Sequence, residues 1–314
     1  MKRLIPLALC ALALPAGAAT KWTFSGQATG TLTSDDETPT VIKDVRVSDW
    51  TARTITIFNH NTNPLANGDV DLSLPIEDAS GNVWTLVAIA RQAFQNNSDL
   101  TSIKVPASVK NIDYFAFLNC PNLESFELEE GTKLSSLGMQ VFNGCSSLKT
   151  PVAVPRAVKE IGTYLVTNTK VPSFSALGAT NIASKALQSV STLKAVEFGD
   201  AIETLGTELM SGCPLLAQIR WHDKVPSSFG DMLTVNGRIP ASCAFYIPYD
   251  AENDTASAAW LAFQATWTAA ENTFTLPSRA ENGAWTDGSI AVKGKTAHPV
   301  RYWRPGATSA LFAD

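Results

Sequence analysis

Three histidines, four cysteines beyond the first twenty residues and two acidic runs are the side chains with the richest chemistry in this sequence. His60, His222 and His298 stand apart from one another. None has a second histidine or a cysteine at metal-ligand spacing, and none is set beside a nucleophile and an acid as a proton relay requires. They read as solvated turn histidines, except that His222 follows Trp221 and Arg220 at a strand end, where it can face a ligand. Cys120, Cys145, Cys213 and Cys243 contain no C-x-x-C pair, so thiol redox catalysis and zinc binding have no foothold. Glu129 and Glu130 are adjacent and point apart, unlike the facing carboxylates of a glycosidase. The runs SDDE (34–37) and NGDVD (67–71) offer oxygen atoms without the ligand order of a calcium loop, and no glycine-rich phosphate loop is present. No catalytic residue, metal or cofactor is expected; a hydrolase would have to lie in the irregular termini. The remaining chemistry is recognition, which depends on how the chain presents its surface.

The chain opens MKRLIPLALCALALPAGAAT, two basic residues followed by an apolar run and then small residues. This reads as a signal peptide over residues 1–19, its apolar run being shorter than the ~20 residues of a membrane span. Leu9 before Cys10 does not suit a lipid anchor. The expectation is an exported protein, secreted, periplasmic or held at the cell surface, with no transmembrane segment. Without Lys2 and Arg3, 22 basic residues face 29 acidic ones, a net charge of −7 that argues against nucleic acid as a partner.

The body of the chain repeats. AFQNNSDLTSIKVP, AFLNCPNLESFELEEG, VFNGCSSLKTPVAVP, ALQSVSTLKAVEFG and LMSGCPLLAQIRW align, with Phe94, Phe117, Phe142, Leu187 and Met210 in one slot. Val166 marks a degenerate copy, near Pro172, and Leu233 a final partial one. Six positions after the slot comes Leu100, Leu123, Leu148, Leu193, Leu216 or Ile239. Three positions after it come Asn97, Cys120, Cys145, Thr169, Val190, Cys213 and Asn236, so the cysteines occupy one small, semi-polar place in a recurring coil. Stacked as neighbours, Cys120 and Cys145 could bond, but free thiols packed as small hydrophobes are the expectation. Each unit then reads Leu-x-x-Ile-x-Val, a short strand whose alternate residues point inward (Ile103 and Val105, Phe126 and Leu128, Val196 and Phe198, Ile219 and Trp221). One unit cannot cover its own apolar surface, whereas stacked units cover one another.

The phrases AF-x-x-C-x-x-L-x-x-I-x-V-P and V-x-x-I-G, best matched at 116–126 and 141–162, resemble BspA-like leucine-rich repeats of bacterial surface proteins. The resemblance implies a curved solenoid over residues 71–248, about six to seven repeats with a parallel sheet on one face. Residues 20–70, rich in threonine and alternating apolar positions, read as a β-rich N-terminal cap or a small β-domain. Residues 249–314 read as a mixed α/β C-terminal cap, with a helix bearing Trp260, Phe263 and Trp267 on one face and strands at FTL, SIAVKG and VRYW. The expected function is non-enzymatic binding or adhesion to an extracellular protein or glycan. Its surface is the outward row of the repeat sheet: Ser102, Lys104, Ser125, Glu127, Ala195, Glu197, Gln218, Arg220 and His222. The alternative is carbohydrate binding on exposed aromatics of the C-terminal segment, Trp285, Tyr302 and Trp303.

Overall fold

Each repeat must reverse the chain at its Ala-Phe phrase, and the backbone does so in one way six times. The computed structural model describes residues 19–58, 65, 68–227, 229 and 239–303. In it, the residues two before and two after each Phe slot have positive φ: Gln92 and Asn96, Phe115 and Asn119, Gln140 and Gly144, Tyr164 and Asn168, Lys185 and Ser189, Glu208 and Gly212. The left-handed region costs a non-glycine residue ~1–2 kcal/mol, less for asparagine. What offsets that cost is a row of inter-coil hydrogen bonds. The amides of Gln92, Phe94 and Asn96 donate to the carbonyls of Tyr114, Ala116 and Leu118 at 3.1, 2.7 and 2.7 Å. Those of Phe115, Phe117 and Asn119 donate to Met139, Val141 and Asn143, and those of Gln140, Phe142 and Gly144 to Thr163, Leu165 and Thr167. Inside the turns the slot side chains stack, with Phe94 and Phe117 at 5.4 Å and 10° and Phe117 and Phe142 at 5.7 Å and 3°.

The strand that follows each turn pairs in parallel with its neighbours. β5 (Asp69–Asp71), β8 (Ser102–Val105) and β10 (Ser125–Leu128) form one short sheet. A second runs β12 (Val152–Ala153), β14 (Ser173–Ala176), β16 (Ala195–Phe198), β18 (Gln218–Trp221) and β19 (Ala244–Asp250). The single sheet expected from the repeats is therefore divided between β10 and β12. The cause is local: the third copy has Thr150 and Pro151 where the strand should begin, Pro151 has no N–H to donate, and the Phe126 amide donates to the Thr150 hydroxyl at 3.3 Å. The larger irregularity thus falls between the second and third coils rather than at the fourth copy.

A second face carries two-residue ladders built from the V-x-x-I-G phrases. β9 (Asn111–Ile112) and β11 (Ser136–Leu137) lie on one side of the same junction, and β13 (Glu160–Ile161), β15 (Asn181–Ile182) and β17 (Thr204–Leu205) on the other. The glycine of the phrase lets coils touch, since a Cβ on Gly162 would lie 2.6 Å from the Met139 Cα.

The N-terminal strands close on themselves. β1 (Trp22–Gly26), β2 (Thr29–Ser34), β3 (Val41–Asp49), β4 (Thr54–Ile57), β7 (Val83–Ile89) and β6 (Ile76–Asp78) pair in a ring, with β6 returning to β1. Alternation along these strands fills the ring with Trp22, Phe24, Leu32, Ile42, Val45, Ile55 and Leu86, all buried. The ring extends past residue 71, because β7 both completes it and pairs in parallel with β9.

At the other end the helix forms as its aromatic spacing predicts. α1 (Ala258–Ala269) buries Trp260, with Phe263 and Trp267 half-buried against the core, and Ser257 stands at its N-cap without a side-chain cap bond. β25 (His298–Trp303) pairs in parallel with β19, then β24 (Gly288–Ala291) and β21 (Thr273–Thr275) follow antiparallel. The C-terminal strands thus lengthen the repeat sheet sideways.

Asn119, at φ 55°, tests the turn. Asn119→Gly should leave stability within ~0.5 kcal/mol of the parent, and Asn119→Val should lower it by ~1–2 kcal/mol in urea unfolding, because valine resists the left-handed region.

Candidate functional site

Register places the proposed outward row in two columns. On the first sheet, Asp69, Ser102 and Ser125 form one column and Asp71, Lys104 and Glu127 the other. The Ser102 hydroxyl donates to Asp69 Oδ1 at 2.8 Å, and Lys104 Nζ lies 3.9 Å from Asp71 Oδ2. Glu127 is exposed and the other three are half-buried. This part of the row is open to solvent.

The second sheet corrects the expectation for Ala195 and Glu197, which are buried at 2% and 7% exposure. Alternation tells which side of a strand a residue occupies but not whether that side is wet. Glu197 tolerates burial because it is partnered: His222 Nε2 lies 2.9 Å from its Oε1, and Arg220 is the next residue in its column. Burial pushes the Arg220 guanidinium down from its ordinary pKa, with Glu197 and Tyr246 opposing. Arg220 also lies over the rings of Tyr246 and Trp303, at 5.5 and 5.4 Å. Gln218 is half-buried beside it. His222 meets Trp303 edge to face at 5.1 Å, so it is a packed residue rather than a solvated turn histidine. His298 is likewise buried, within β25, and burial lowers its pKa. His60 lies outside the described residues.

The three aromatics of the alternative site come together. Trp285 and Tyr302 have ring centroids 5.1 Å apart, and Trp303, the neighbour of Tyr302 in β25, joins them in lining a pocket of about 180 Å³. Tyr249 and Arg279 complete its wall. Tyr249, next to last in β19, touches Trp285 at 5.7 Å and Tyr302 at 5.2 Å. Arg279 and Trp285 are cross-strand partners in the hairpin of β22 (Ser278–Arg279) and β23 (Trp285–Thr286), with the guanidinium 4.3 Å above the indole. Asp254 accepts the Tyr249 hydroxyl and Arg279 Nη2, and the Tyr249 bond is the main cause that holds its carboxyl below the usual range. Trp285 is 43% exposed. Trp303 joins the two candidate surfaces, since it lines the pocket and packs on Arg220 and His222. Tyr249, Asp254 and Arg279 are site residues that spacing does not reveal; only Arg279 carries a local signal, the Glu-Asn-Gly turn that sets it opposite Trp285.

The cysteines are free and buried. Cys120 donates to the Phe94 carbonyl at 2.9 Å, Cys145 to Phe117 at 3.0 Å and Cys213 to Leu187 at 3.1 Å, so the slot ties each coil to the one before it. Among the described residues no cluster of histidine, cysteine and carboxylate could hold a metal ion, and no helix is long and apolar enough to cross a membrane.

A family model described as the BspA type leucine rich repeat region matches six copies, over residues 83–179 and 175–232. Residues 83–232 are a BspA-type leucine-rich repeat region. No curated protein matches the chain. Similar solved structures include a leucine-rich repeat protein from Bacteroides ovatus, 23% identical, covering 66% of this chain and 57% of that one with a TM-score of 0.49. This chain therefore spans just over half the length of the Bacteroides protein. Others are the leucine-rich repeat protein of T. pallidum (22% identical, 54% of this chain and 85% of that one, TM-score 0.38) and the pneumococcal vaccine antigen PcpA (12%, 81% and 97%, TM-score 0.30). The outward row from Ser102 to His222 lies inside the leucine-rich repeat region, and the aromatic pocket lies beyond it.

Two measurements check the burial described here. Burial raises the Cys213 thiol to about 11 and the Cys243 thiol to about 12, and pushes Cys145 up as well. These three thiols should therefore resist a disulfide reagent at pH 8 in the folded chain, as should Cys120, which is equally buried, and all four should react within minutes in denaturant. Because the His298 pKa is lowered in the fold, both states are neutral above pH ~6.5, and below it the unfolded chain takes up the proton more readily. Stability should fall from pH 6.5 to pH 5, and His298→Gln should flatten that slope in thermal unfolding.

Proposed function

We propose that this is an exported, non-enzymatic binding protein that takes a saccharide ring in the pocket of Tyr249, Trp285, Tyr302 and Trp303. The observation that carries this reading is the half-exposed indole of Trp285 lining a small aromatic pocket whose wall includes Arg279, itself bonded to Asp254. Apolar C–H faces of a pyranose pack against aromatic rings, and a fixed cation–carboxylate pair supplies hydroxyl partners. Residues 1–19 act as the export signal. The repeats form a curved solenoid, capped by the β-ring at the N-terminal end and by residues 249–314 at the other.

A second reading is favoured by the open, preformed columns of the first sheet. There Ser102, Lys104, Ser125 and Glu127 would engage a protein partner at little ordering cost, because the strands already hold them in place. The buried Ala195 and Glu197 leave this face shorter than the repeats alone suggested.

Binding of the full chain to a glycan array, followed by calorimetry on the best ligand, separates the two. Trp285→Ala should weaken a saccharide by about tenfold or more, equivalent to ~1.4 kcal/mol, while Lys104→Glu with Glu127→Lys leaves it unchanged. Saccharide affinity unaffected by Trp285→Ala would count against the pocket, and loss of protein capture by the charge reversals would promote the second reading.

A further inference from the structure

Both strand ladders stop at the same junction. On the first face β10 and β12 are not paired, and on the second face no hydrogen bond joins β11 to β13 among the described residues. The second break has its own cause. Seven positions separate Val105 from Ile112 and Val154 from Ile161, but nine separate Leu128 from Leu137, so the EEGTK corner of the second coil carries two extra residues. The coils meet again where Gly162 touches Met139, which closes one end of the gap. What remains is a cleft of about 430 Å³, at the small end of the ~300–1,000 Å³ range of ligand cavities.

The lining says what could fill it. Tyr114, 47% exposed, lines the cleft with Ser135, Ser136 and Thr163; the Ser135 hydroxyl donates to the Lys110 carbonyl at 3.3 Å and that of Thr163 to the Met139 sulfur at 3.7 Å, so both keep acceptor capacity for a ligand. Ser136 and Leu137 of β11 and Glu160 of β13 border the same space, and no hydrogen bond joins the two strands among the described residues. β11 and β13 have Cα atoms within 8 Å of each other, less than the ~9.6 Å of two strand spacings, so no peptide strand can be inserted between them. The charges are already committed. Lys159 Nζ donates to the carbonyls of Arg156 and Gly178 at 3.2 and 3.0 Å, and Glu160 Oε1 accepts from Asn181 at 2.7 Å. A ligand that fits is small, uncharged, rich in groups that both donate and accept, and apolar on one side where the tyrosine lies.

We infer that this cleft between the second and third coils is a binding site for a neutral saccharide unit, its ring against Tyr114 and its hydroxyls bridging the unpaired edges of β11 and β13. The inference does not depend on the C-terminal pocket, which lies on different elements. Saturation-transfer NMR of the full chain with glucose, galactose, mannose, N-acetylglucosamine and their β-linked disaccharides tests it. At least one sugar should bind the Trp285→Ala variant. In that background Tyr114→Ala should weaken binding tenfold or more, while Tyr114→Phe, which keeps the ring, should stay within about twofold of the parent. Because Tyr114 is half in solvent, the alanine variant should retain the parent's unfolding midpoint. Binding lost with Trp285→Ala and untouched by Tyr114→Ala would overturn the cleft and leave the C-terminal reading standing; no saccharide binding at all would overturn both; and binding abolished by Tyr114→Ala but unaffected by Trp285→Ala would uphold the cleft alone.

Discussion

The rest of the structure depends on the hydrogen-bonded column of Ala-Phe turns. It runs unbroken from the first coil to the third, through the junction where both strand ladders are interrupted. Two left-handed residues per turn orient three consecutive odd-numbered positions of the phrase toward the next coil, and the stacked phenylalanines fill the space beneath. Cysteine suits the neighbouring slot because its thiol is small enough to be buried and still donates one weak hydrogen bond to the coil before. With the turns held in register, the strands can tolerate an inserted Pro151 or a lengthened corner, each of which alters one rung and leaves the next intact.

That tolerance locates the surfaces available for binding. Where rungs are complete and partners are close, polar side chains turn to one another, as Glu197 does with His222. Where a rung is missing, as between β11 and β13, a cleft opens between the coils. The C-terminal strands add a third arrangement: by joining the repeat sheet through β19 and β25 they bring Trp303 over Arg220 and His222, and Tyr302 beside Tyr249.

Much of this was legible in the chain. The Phe column, the Leu and Ile layers, the shared cysteine slot and the helix carrying Trp260 follow from spacing alone, because each is a local period. The second left-handed position is also readable, being Asn, Gly or Ser in every copy, whereas the first holds Gln, Phe, Tyr, Lys or Glu and gives no sign of itself. Closure of the N-terminal strands was hidden, since it needs β6, already in a local hairpin with β7, to meet β1, a pairing across some fifty residues that alternation does not encode. Burial of Ala195 and Glu197 was hidden for a related reason, as did the meeting of Tyr249, Asp254 and Arg279 with Trp285. Each depends on which distant element covers a face, and strand periodicity is silent on that.

The turn column has one more property. Its inter-coil bonds all point the same way, with amides of one coil donating to carbonyls of the next, from Gln92 and Tyr114 through to Ser189 and Ser211. Aligned peptide groups add like the dipoles of a helix, so the column has an electrostatic direction, its carbonyl end at the first turn and its amide end at the last. Arg91 stands at the first and Glu208 at the last, each of the sign that the local field favours, and a further coil could be added at either end only by matching that polarity.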